Sequence, residues 1–139
     1  MHITLAAVGK LKEPSLKALY EEYKKRLDWK LTLYECEDKD LSTRLANFPS
    51  FVIALDEQGE TLKSEAFALL LNDIQLHHQG KVTFMIGGAD GLSQHIKTKA
   101  HKSLAFGPMT WPHLLVRVML MEQLYRAQQI LKGHPYHRG

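Results

Sequence analysis

FVIALDEQGETLKSEAFALLLNDIQLHHQGKVTFMI, residues 51–86, is the stretch that decides the fold class. Phe51-Val52-Ile53-Ala54-Leu55 is apolar at every position and gives way to Asp56-Glu57-Gln58-Gly59, while Val82-Thr83-Phe84-Met85-Ile86 is a second such run, ended by Gly87-Gly88. Strands without polar alternation belong at the centre of a parallel sheet, where both faces are covered. Between the two runs, Ser64 to His78 carries Phe67, Leu70, Leu71 and Ile74 on one stripe, the spacing of a helix with one buried face. Strand, crossover helix and strand make a βαβ unit.

The same grammar extends in both directions. Ile3 to Val8 is a short apolar run closed by Gly9, and Leu31 to Cys36 reads as another strand. Pro14 to Trp29 joins them, with Leu16, Leu19, Tyr20, Tyr23 and Leu27 at three- and four-residue spacings behind an initial proline, which predicts a helix. Residues 37–50 are polar and broken by Pro49; they read as a connection with one helical turn around Leu41 to Leu45. Downstream, Gln94 to His101 predicts a short helix and Leu104-Ala105-Phe106 a brief strand. Pro112 to Lys132 predicts a long helix, with Thr110 as its cap and Gly133 just past its end. The expectation is one α/β domain over residues 1–139, a small mainly parallel sheet flanked by helices. The last helix is nearly uninterrupted from Leu114 to Met121, with Arg117 the only polar residue, which is more apolar surface than one buried face needs. The surplus predicts a homodimer.

Charge is distributed unevenly. Residues 1–80 hold 10 Lys/Arg against 13 Asp/Glu, whereas residues 81–139 hold 8 against 2, Asp90 and Glu122, together with five of the eight histidines. A basic half of this kind suits an anionic partner, nucleic acid first among them. Cys36 is the one cysteine, so neither an intrachain disulfide nor a cysteine-rich zinc site can form. His134 and His137, or His77 and His78, lack a nearby cluster of further ligands, and no metal is expected. No stretch is apolar for long enough to cross a membrane, and the apolar start meets Gly9-Lys10 too soon for a signal peptide, so a cytoplasmic protein is expected.

Three places carry chemistry. Gly87-Gly88-Ala89-Asp90-Gly91-Leu92-Ser93 follows a strand and precedes a helix, the position at which α/β proteins bind ligands. Its spacing is neither the dinucleotide fingerprint nor a phosphate-binding loop. Phe106-Gly107-Pro108-Met109-Thr110-Trp111-Pro112-His113 is a second loop between strand and helix, and its apolar side chains and main-chain groups suit a flat group such as adenine. Leu55 ends its strand at the same sheet edge as Gly87, so three segments converge on one pocket. The third place is Gly133 to Gly139, where Tyr136 offers a ring to stack on a base, His137 a proton carrier near neutral pH and Arg138 a planar fork of donors for an anion. On these residues alone, a non-catalytic RNA-binding module and a nicotinamide-dependent oxidoreductase stay open beside a transferase.

Taken in order, the segments Ile86 to Ser93, Met109 to His113 with Val116-Arg117-Val118, Glu122-Gln123-Leu124-Tyr125-Arg126-Ala127, and His134-Pro135-Tyr136-His137-Arg138 resemble the motifs of a known family. It is the family of ribosomal large subunit methyltransferases that modify N3 of a pseudouridine in 23S rRNA, within the SPOUT class. The resemblance implies a C-terminal trefoil knot, a homodimer and S-adenosylmethionine as methyl donor. It implies a donor site at Leu55, Gly87 and the loop Phe106, Gly107, Pro108, Met109, Thr110 and Trp111. It also implies that Tyr136, His137 and Arg138 of one subunit lie over the donor of the other, with His137 as general base, Arg138 stabilising developing charge and Tyr136 positioning the target ring.

Overall fold

The computed structural model describes residues 1–45 and 50–138. Among these, five parallel strands, β1 (His2–Val8), β2 (Lys30–Cys36), β3 (Phe51–Thr61), β4 (Lys81–Ile86) and β5 (Lys102–Ala105), form one sheet in the order β2-β1-β4-β3-β5. Five helices connect or follow them: α1 (Pro14–Arg26), α2 (Asp38–Leu45), α3 (Ser64–His77), α4 (Gln94–Lys99) and α5 (His113–Leu131). The β3-α3-β4 unit is the one the apolar runs announce, and Leu55 pairs with Ile86 at its C-terminal edge.

Side chains alternate across the sheet, and each face has its own core. On one, Ile3, Leu5, Ile53, Phe84 and Ile86 meet α1, α3 and α5 through Tyr20, Phe67, Leu71, Ile74, Leu120, Met121 and Leu124. On the other, Ala6, Val52, Ala54 and Met85 meet Leu41 of α2 and Ile96 of α4. Covering both faces is what allows β3 and β4 to be apolar at consecutive positions.

Apart from shifts of one or two residues at element ends, as in α4 and β5, the structure departs from the sequence reading in four places. β3 does not stop at Leu55; after an irregularity at Asp56 to Gly59 it resumes pairing with β5 through Glu60 and Thr61. Gly59 permits this, because a methyl group there would lie 2.8 Å from the backbone of Leu104. α1 ends at Arg26 rather than Trp29, since Leu27 is extended. The buried Gln128 of α5 then takes both freed groups, donating from Nε2 to Arg26 O at 3.1 Å and accepting from Asp28 N at 2.6 Å. The segment after β2 holds an eight-residue helix instead of one turn, anchored by fully buried Leu41 and started by Asp38 and Asp40, which suit a helix N-terminus. The remainder of the expected connection, 46–49, lies outside the described residues. Finally, Pro112 rather than Thr110 occupies the cap position of α5. Thr110 Oγ1 donates instead to Glu57 Oε2 at 2.7 Å.

Among the described residues, no helix is long and apolar enough to cross a membrane.

Candidate functional site

A cavity of about 610 Å³ opens at the C-terminal edge of β3, β4 and β5. Its size is that of a small-molecule site. One wall is the turn from Gly87 to Leu92, a second is the loop from Phe106 to Pro112, and Leu55, Asp56 and the start of α5 at His113 and Val116 close the rest. Of the donor residues implied by the resemblance, Leu55, Gly87, Phe106, Gly107, Met109, Thr110 and Trp111 are on this wall; Pro108 is in the loop but not on the wall.

The glycine turn is tight because Gly87 has no side chain to accommodate where Gly91 folds back on it. A Cβ at Gly87 would sit 2.5 Å from the carbonyl carbon of Gly91, and Gly91 N–H closes the turn onto Gly88 O at 3.0 Å. Gly91 is in the left-handed region, with φ of 76°. The second loop is fastened internally, Trp111 Nε1 donating to Phe106 O at 3.1 Å, and to β3 through the Thr110–Glu57 bond. Met109 remains 74% exposed and Trp111 42% exposed, so an apolar rim faces outward. Lys97 from α4 reaches Asp56 at 3.4 Å on the cavity wall. The combination of apolar walls, main-chain groups and few polar side chains fits a flat heterocycle attached to a polar chain. Sequence reasoning quoted His113 and Val116 only within motifs and gave Asp56 and Lys97 no place in a site; the packing of α4 and α5 brings all four to the wall.

The segment from His134 to Arg138 docks elsewhere on the same chain. The Tyr136 ring stands edge-on to Tyr125 at 4.8 Å, under the Arg126 guanidinium at 5.0 Å, and its hydroxyl donates to Glu122 Oε1 at 3.3 Å. Burial, with Glu122 next in weight, pushes the Tyr136 phenol up to about 12. Arg126 is locked to Glu122 by bonds of 2.9 and 2.6 Å, and it offers Nη1 to His137 Nδ1 at 2.9 Å. Arginine can only donate, so Nδ1 accepts and the imidazole proton resides on Nε2, from which it is given to Glu65 Oε1 at 2.7 Å. That bond holds the Glu65 carboxyl below its ordinary range. Arg138 is exposed and donates from Nε to Pro135 O at 3.2 Å. None of Tyr136, His137 and Arg138 touches the cavity wall of its own chain. The structure thus gathers the loop residues into one site and the tail residues into another.

Comparison with known proteins gives the following. A family model described as "Predicted SPOUT methyltransferase" matches residues 1–137. The chain is 48% identical, over the full length of both, to a Rhodospirillum centenum protein named Ribosomal RNA large subunit methyltransferase H. It is 41% identical to the protein of the same name from Carboxydothermus hydrogenoformans, over 99% of this chain and 100% of that one. Among solved structures, a probable methylase family protein from Haemophilus influenzae Rd KW20 is similar with a TM-score of 0.64 at 11% identity, over 99% of this chain and 70% of that chain. The SpoU methyltransferase AviRb from Streptomyces viridochromogenes, solved in complex with the cofactor AdoMet, is similar with a TM-score of 0.51 at 11% identity, over 94% of this chain and 58% of that chain. At such identities the structural likeness is one of fold.

Proposed function

The chain belongs to the ribosomal RNA large subunit methyltransferase H family of SPOUT methyltransferases, and from that premise we propose that it transfers a methyl group from S-adenosylmethionine to N3 of a pseudouridine in 23S rRNA of the large ribosomal subunit. The observation that carries the reading is the cavity between the glycine turn and the Phe106–Trp111 loop, at the strand ends where α/β folds bind ligands. Leu55, Phe106, Met109 and Trp111 would hold the donor's adenine, and main-chain groups of the Gly87–Leu92 turn and the Phe106–Trp111 loop would be within its reach. Bound there, S-adenosylmethionine supplies an electrophilic methyl group on sulfur, which departs as a neutral thioether.

The work left to the protein is on the nucleobase. Pseudouridine N3 bears a proton and is a poor nucleophile until the proton leaves. His137 takes it on Nδ1, which must first exchange its bond from Arg126 for one from the base. Arg138 faces the negative charge that spreads onto the flanking carbonyl oxygens, and Tyr136, a phenol at any physiological pH, orients the ring. These three residues act on the donor site of a second copy in a homodimer. Two facts support that: the segment lies off its own cavity, and α5 keeps Leu115 and Met119 only half-buried after packing between α1 and α3. The family reading also carries a C-terminal knot.

Incubation with methyl-labelled S-adenosylmethionine and large-subunit particles lacking the modification tests the proposal. Label should appear in 23S rRNA as a single N3-methylpseudouridine. Unlabelled rRNA, or label on another nucleotide, would refute it.

A further inference from the structure

Among the described residues, Arg117 is the fully buried cation, although it sits in the most apolar stretch of α5. Its Nη1 donates to Glu35 Oε2 at 2.6 Å, and its Nη2 donates to Val8 O at 3.3 Å and Gly9 O at 3.0 Å, the last carbonyls of β1 and the turn after it. Glu35 Oε2 also accepts from Leu11 N at 2.8 Å, so one carboxylate oxygen ties the turn after β1 to the guanidinium. Both ends of this connection back onto the donor cavity. On the α5 side, the neighbouring Val116 is part of the cavity wall. On the β1 side, Val8 supports the glycine turn, because a Cβ at Gly88 would lie 3.0 Å from Val8 Cγ1.

Stability is a poor reason for such a group. Burying a guanidinium is costly, and an apolar side chain of similar volume commonly serves the fold as well or better. The arrangement also leaves Arg117 Nε, and the nearby Tyr20 hydroxyl, buried without a hydrogen-bond partner. What a fan of donors supplies and an apolar side chain does not is a fixed distance between three acceptors on two elements. We propose that Arg117, held by Glu35, is a positioning residue for the donor site: a buried strut that sets the spacing between the cavity wall on α5 and the strand end beneath the glycine turn. The inference rests on the reading of that cavity as the S-adenosylmethionine site.

The test measures S-adenosylmethionine affinity by calorimetry and methyl transfer at saturating donor, with thermal melts to verify folding. Arg117→Lys keeps the charge but has one nitrogen for three acceptors; donor binding should weaken roughly tenfold, as for other residues that orient ligand-contacting groups, while turnover at saturation changes by less than about threefold. Val8→Ala removes the contact through which the strut acts. In that background Arg117→Lys should cost less than about twofold further, a non-additivity that a merely structural residue would not give. If Arg117→Lys does not fold, Glu35→Gln decides, since its amide oxygen still accepts from Leu11 and Arg117; about threefold weaker donor binding is expected. Donor affinity within about twofold of the unsubstituted protein in a folded variant, or full additivity with Val8→Ala, would overturn the strut. A wild-type chain that binds no donor would overturn the functional reading and the strut together, whereas normal wild-type binding beside unaltered variants overturns the strut alone.

Discussion

His137 shows how much a single tautomer decides. With Nδ1 accepting from Arg126 and Nε2–H given to Glu65, the imidazole is oriented and presents one defined nitrogen as acceptor. His137→Ala should lower methyl transfer by about 10²–10⁴-fold while donor affinity, measured by calorimetry, persists; unchanged turnover would remove His137 from the role of base. Glu65 adds a pH dependence. Its carboxyl, which faces His137 and Lys63, is lowered from 4.5 by the His137 bond, so the docked tail is fully supported above that value and loses this support as pH falls through the lowered one. Nuclear magnetic resonance of the Tyr136 ring should report the loss of this Glu65 support on the acid side of 4.5. Tyr136 and Tyr20, both raised from 10.0 to about 12 chiefly by burial, act at the other extreme: their contribution is complete below 10.0 and lost as pH rises through about 12. Denaturant stability should therefore decline over that alkaline range. A stability that is flat from 10.0 to about 12 would contradict the burial of both phenols.

Elements were legible in the sequence wherever periodicity was unambiguous. The apolar runs of β3 and β4, the stripe of α3, and Gly133 with φ of 72° just beyond α5 all stand where residue patterns place them. So does the convergence of Leu55, Gly87 and the second loop on one cavity, because parallel strands bring their C-terminal ends to one edge. What escaped depends on long-range partners. The second half of β3 is polar and is held only because β5 pairs beyond the irregularity, and the end of α1 is set by Gln128, about a hundred residues away in the chain. Arg117 interrupts an apolar run, a signal that something polar must be waiting inside, but its acceptors on β1 and β2 are invisible without the fold. Gly59→Ala tests the first of these: a methyl group 2.8 Å from the Leu104 backbone should part β5 from β3 and cost about 1–3 kcal/mol in denaturant unfolding. Gly87→Ala, with 2.5 Å to Gly91, should open the glycine turn and abolish donor binding; full affinity in that variant would take the turn out of the site.

At the scale of the molecule, the basic excess lies in residues 81–139, the same portion that supplies both loops of the cavity and the His134–Arg138 segment. Lys and Arg there are expected to hold phosphates, and the logarithm of RNA affinity should fall with that of salt by roughly 0.7 to 0.9 per phosphate contact. A salt-independent affinity would contradict the assignment. The central claim, however, concerns two copies: a donor bound between loops of one chain and completed by the tail of another. Co-expressing Gly87→Val, defective at the cavity, with His137→Ala, defective at the tail, gives mixed dimers whose single intact site combines one loop pair with the other chain's tail. The account predicts two inactive parents and a mixture that recovers roughly a quarter of wild-type methyl transfer per subunit, one good site in half of the dimers; a mixture as inactive as its parents would contradict it.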